Sequence, residues 1–144
     1  MARLLIVDDE EGLRSFLEAA LVSEGHHVTL AVDGADALLK LERAGFDLVL
    51  TDLKMPRVDG MAVLHHVRAK HPGTEVIMLT AFGTVETAVE AMKAGAFDFL
   101  QDLAHGGDTC WAAQVSVFQF DRRLGLSRRG QSQHGDQARR REKV

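Results

Sequence analysis

One cysteine, Cys110, stands in the 144 residues, so no internal disulfide can staple the chain. No base or basic cluster flanks Cys110 closely, and it reads as small apolar filler rather than a reactive thiol. No apolar run approaches bilayer-spanning length, which excludes a membrane partner of that kind. The opening MARLLIVDDE puts four apolar residues before its acids, too few for a secretory signal, and the expected location is cytoplasmic. A Gly-rich phosphate loop is missing too, so a nucleotide hydrolase has no support. Through residue 101 there is no basic stripe interleaved with aromatics, and direct nucleic-acid binding by that part is not expected.

What is present suits one domain plus a tail: 46% apolar and 26% charged residues, the balance of a soluble globular chain. The net charge of −4 conceals an asymmetry. Residues 1–101 hold 9 Lys and Arg against 16 Asp and Glu, a net −7, while residues 102–144 hold 8 against 5, a net +3.

Up to residue 101, short β-branched runs alternate with amphipathic stretches, each closed by turn residues. Strands are expected at 4–7, 28–32, 48–51, 76–79 and 97–100. The expected helices cover 11–24, 35–44 and 61–70, with a fourth opening near Thr84. Leu13, Phe16, Leu17, Ala20 and Leu21 would form the inner face of the first helix, and Val85, Ala88, Val89 and Met92 that of the fourth. Gly25, Gly45 and Gly95 would end helices. Strands joined through helices run parallel, so their carboxyl ends share one rim, where such sheets bind ligands.

Asp8, Asp9, Asp52 and Thr80 all fall at those ends. The segment LLIVDDEE thus sets an acid cluster against a buried strand, and three such carboxylates repel one another unless a cation sits among them. An all-oxygen donor set suits Mg²⁺, with Mn²⁺ as substitute. The competing reading makes Asp8 and Asp9 a helix N-cap. Asp52, ending a central strand, is the best nucleophile toward a phosphoryl group, with Asp9 and the Lys54 carbonyl sharing the metal. His65 and His66, about 100° apart on a helix, are expected in solvent.

The pair Asp8-Asp9, the stretch TDLKMPRVDG around Asp52, and LTAFGTVETAVEAMKAGAFDFL together resemble a two-component response-regulator receiver domain, with wording similar to NtrC-like activators. The resemblance implies an α/β, doubly wound, parallel five-stranded sheet of flavodoxin-like order 2-1-3-4-5. It implies Mg²⁺ on Asp9, Asp52 and the Lys54 carbonyl, with Asp8 acting through water. The phosphoryl donor would be a sensor histidine kinase. Thr80 and Phe99 would form the switch, signalling through helix four and strand five, and the chain would catalyse only its own phosphorylation and dephosphorylation. A Mg²⁺-dependent phosphatase ranks below this, because Lys54 stands where such enzymes need a second acid.

The pattern breaks after residue 101. Asp102 occupies the position of the family's Lys, which supports an alternative: a pseudo-receiver interaction module that does not switch. The domains expected are a receiver core at 1–101, an atypical segment at 102–120 and a disordered basic tail at 121–144. An amphipathic fifth helix is expected next, and no plain pattern for one follows. CWAAQVSVFQF fits a helix with Trp111, Val115 and Phe118 on one face, or a strand. Without a helix partner, residues 110–120 would favour a homodimer or a domain-swapped oligomer.

Overall fold

In the computed structural model of the chain, residues 2–81, 83–101 and 113–122 are described. Five strands, β1 (Arg3–Val7), β2 (His27–Ala31), β3 (Leu48–Thr51), β4 (Glu75–Thr80) and β5 (Asp98–Gln101), pair in parallel in the order β2-β1-β3-β4-β5. Between them run α1 (Glu11–Ser23), α2 (Gly34–Arg43), α3 (Gly60–Lys70) and α4 (Val85–Lys93). A fifth helix, α5, covers residues 113–122.

The central strands read as unbroken apolar runs because helices cover both faces of the sheet. Leu5, Val7, Val49, Val76 and Met78 point to one side, into a core completed by α2, α3 and Ala91 of α4. Leu4, Ile6, Leu48, Leu50, Ile77 and Leu79 point to the other, against α1 and α5. The sheet is therefore doubly wound, and both edge strands, β2 and β5, are less buried than the strands between them.

Local chemistry places the helix ends close to expectation. Gly25 and Gly95 adopt φ of 94° and 104°, and each donates its N–H back into the last turn, to Val22 and Met92. Asp33, Asp59 and Thr84 cap α2, α3 and α4 through their side chains.

Two helix faces differ from the periodicity. In α4 the inward line runs through Ala88, Ala91 and Ala94, while Val85, Val89 and Met92 are 81%, 46% and 46% exposed. Alanines let this helix lie close to the sheet, so its larger side chains turn outward. In α1, Leu17 and Leu21 are buried but Phe16 is 47% exposed.

The ambiguous C-terminal stretch is helical, with Ala113, Ser116, Val117 and Phe120 buried at helical spacing. Phe118, grouped with Trp111 and Val115 on one face in the helical alternative, is 56% exposed, and Trp111 lies outside the described residues. A serine on the inner face hid the pattern. Its hydroxyl donates to Asp98 Oδ2 at 2.9 Å, which satisfies it beside the edge strand. Phe120 meets Phe97 edge to face, with centroids 5.6 Å apart, and Gln114 Nε2 donates to Glu24 Oε2 at 3.1 Å. The segment thus covers its own core, contrary to the expectation that it lacks a partner.

Candidate functional site

The site is built by strand register. Val7 pairs with Thr51, and Asp52 N–H donates to Val7 O at 3.0 Å, so the first residues past β1 and β3 emerge side by side. Thr80 ends the next strand. Carboxylate oxygens of Asp8, Asp9 and Asp52 lie within 4.8 Å of one another, with Asp8 buried, Asp52 half-buried and Asp9 exposed. They line a cavity of about 240 Å³ together with Glu10, Lys54 and Thr80.

Crowding and burial oppose ionisation there. Burial pushes the Asp8 carboxyl up to about 7, against the Glu10 N–H that it accepts, and the charges of Asp52, Asp9 and Glu10 push the same way as burial. Asp52 is also raised, chiefly by burial, while hydrogen bonds from the Leu53 and Lys54 N–H groups and the Thr80 hydroxyl pull it back. The donor set and the mutual repulsion both fit a hard divalent cation, the species that relieves such crowding.

The N-cap reading of the acid pair does not hold. The cap of α1 is Glu10, which makes no side-chain cap hydrogen bond, and Asp8 Oδ1 instead accepts the Glu10 N–H at 2.8 Å. The aspartates are left to the cavity.

The other expected site residues fall as follows. Thr80 is buried and bonded to Asp52. Phe99 is half-buried against the core, its ring edge 2.8 Å from where a Cβ on Gly83 would lie, with the Thr80 methyl 3.2 Å from the same point. Asp102, Cys110 and residues 123–144 lie outside the described residues. His65 is exposed as expected, but His66 is half-buried, its ring 5.5 Å from that of His71, and burial lowers its pKa.

Sequence reasoning missed two supports. Arg14 Nη1 donates to the Asp8 carbonyl at 2.6 Å, a contact that no periodicity announces. Gly60 underlies the loop after Asp52, and its neighbour Asp59 caps α3 by accepting the Ala62 N–H at 2.9 Å.

The family profile described as the response regulator receiver domain matches residues 4–102. The chain belongs to that family. Among relatives of this receiver, the transcriptional regulatory protein ZraR of Salmonella typhimurium is 45% identical over 97 residues, 67% of this chain and 22% of that protein. The chain spans 22% of the length of such curated relatives, which are NtrC-family regulators. A response-regulator receiver-domain protein from Clostridium thermocellum superposes with a TM-score of 0.75 at 29% identity, over 88% of this chain and 98% of that one. NtrX from Brucella abortus gives 0.72 at 30% identity, over 96% of this chain and 33% of its own. Among the described residues of the receiver, no helix is long and apolar enough to cross a membrane.

Proposed function

We propose that Asp52 accepts a phosphoryl group from a sensor histidine kinase in a Mg²⁺-dependent reaction, and that the outcome is read on the α4/β5 face. The observation that carries this reading is the meeting of Asp8, Asp9 and Asp52 within 4.8 Å at one rim, with the Thr80 hydroxyl on Asp52.

Asp9, Asp52 and the Lys54 carbonyl would hold the cation, with Asp8 acting through water, and when bound it supplies neutralisation of the charge on the phosphoryl oxygens. A carboxylate oxygen of Asp52 attacks phosphorus. The bond from phosphorus to the donor breaks, its electron pair leaving on the kinase imidazole or on the carboxylate of a small acyl phosphate. The Leu53 and Lys54 N–H groups hold the Asp52 carboxylate in place. Attack by water on phosphorus later releases phosphate and restores the carboxylate, so the chain acts on no substrate besides its own phosphoryl group.

Switching then follows from the contacts already made. The Thr80 hydroxyl, freed from Asp52, turns to a phosphoryl oxygen, and Phe99, packed across Gly83 beside Thr80, follows toward the space it leaves. A second copy of the chain is the further partner of this reading, supported by the outward stripe of Val85, Val89 and Met92. The packing of α5 on its own core favours a closed protomer over an exchanged one.

Incubation with Mg²⁺ and acetyl phosphate should add the mass of one phosphoryl group, and Asp52→Asn should remove it. Retained fold with no added mass would leave the non-switching module, to which Asp102 points.

A further inference from the structure

The rim opposite the carboxylates holds a titratable group that phosphoryl transfer does not use. Among the described residues His26 is the buried histidine, set between the Gly25 turn that ends α1 and the first residue of β2. Its Nδ1 accepts the Ala2 N–H at 3.0 Å, and the next residue, His27, donates its own N–H to the Ala2 carbonyl at 3.0 Å. Ala2 is buried, so these two bonds satisfy a backbone that water does not reach.

A ring nitrogen accepts only while it carries no proton. The bond from Ala2 therefore fixes the proton of neutral His26 on Nε2, and a second proton would set an Nδ1–H against the Ala2 N–H. One buried donor would lose its acceptor. Burial holds the imidazole below the usual histidine range; Asp121 of α5 pulls it up, the chain's amino group before β1 pushes it down, and Glu24, which closes α1, pulls it up. A protonated ring would be drawn toward those two carboxylates and away from Ala2.

The same seam fastens α5. Ala2 and Leu21 share a core with Val117 and Phe120, and Gln114 Nε2 ties α5 to Glu24 Oε2 at 3.1 Å. We infer that His26 is a proton-operated latch: neutral, it pins the start of β1 under α5; protonated, it releases Ala2 and loosens α5.

The direction follows from the burial. The fold disfavours the proton, so the stability that His26 gives is whole above its ordinary value of 6.5 and is lost as pH falls below it. Asp8 acts in the opposite sense over part of this range, so the latch is read by difference and by place.

The test uses the full chain and His26→Gln, whose amide oxygen can accept from Ala2 without titrating. In the parent, the His26 ring signals followed by NMR should titrate with a midpoint below 6.5; a midpoint at or above 6.5 overturns the latch. Amide hydrogen exchange, corrected for the intrinsic rate and scaled to α3, is then compared at about pH 7.5 and about pH 5.5. Protection of Ala2 and of residues 113–122 should fall about threefold to tenfold in the parent and less than about twofold in His26→Gln. Unchanged protection in the parent, an equal fall in His26→Gln, or a fall shared evenly by α3 overturns the inference.

Discussion

A Cβ placed on Gly60 would lie 2.2 Å from the backbone carbonyl oxygen of Asp52, and 2.8 Å and 2.9 Å from Leu53 Cα and Met78 Sδ. The turn that aims the nucleophile is closed only because residue 60 has no side chain, and Gly60 N–H donates to Leu53 O at 2.8 Å across it. Gly60→Ala should cost about 2–3 kcal/mol, since backbone rather than a flexible tip must give way. It should also weaken Mg²⁺ binding. Urea unfolding with and without Mg²⁺ measures both effects.

Removing one charge from the cluster should stabilise the metal-free protein. Asp52→Asn relieves both burial of a carboxylate and repulsion from Asp9. A gain on the order of 1 kcal/mol in metal-free urea melts is expected, together with loss of most of the stabilisation that Mg²⁺ gives the parent.

The Asp8 carboxyl sets a pH dependence opposite to that of a salt-bridged aspartate. Its pKa is raised from 3.8 to about 7, so between those values the folded chain keeps a proton that the unfolded chain releases. The contribution of Asp8 to stability is therefore present below about pH 4 and is lost as pH rises toward 7. Mg²⁺ competes with that proton, and its affinity should climb with pH by up to about tenfold per unit below 7, then level off. Calorimetric titrations from pH 5 to 8 check the slope; Asp8→Asn should flatten it.

The attachment of α5 can be measured residue by residue. Phe120→Ala removes the ring that meets Phe97 and should cost about 3 kcal/mol, whereas Ser116→Ala should cost about 1 kcal/mol through the bond to Asp98. If residues 113–122 did not cover the sheet, neither change would register in thermal or denaturant melts.

On α4 the two faces should separate cleanly. Val89→Lys, on the exposed stripe, should change stability by less than about 0.5 kcal/mol, while Ala91→Leu should cost about 1–3 kcal/mol by overfilling the contact with the sheet. The same Val89→Lys protein, examined by light scattering, tests whether a second copy docks on this stripe.

Much of the core was legible in the sequence because its signals are local. The run from Leu4 to Val7 and the stretch Leu48–Thr51 carry their own β-branched or aliphatic pattern, and Gly25 and Gly95 mark helix ends through a backbone conformation that few other residues take. Helical faces were harder. In α4 and α5, small and polar residues, Ala91 and Ser116, hold the inner positions, so a search for large apolar side chains finds the wrong line.

By itself the sequence determined the succession of strands and helices and put Asp8, Asp9, Asp52 and Thr80 at strand ends, since periodicity and turn chemistry act over a few residues. Only the tertiary structure decided which ends are neighbours, because β1 pairs with both β2 and β3 across long stretches of chain. That pairing brings the three carboxylates within reach of one ion and lays the Thr80 hydroxyl on Asp52. It also chose the inward face of α4, a matter of how closely a helix can approach a sheet, which no single segment encodes.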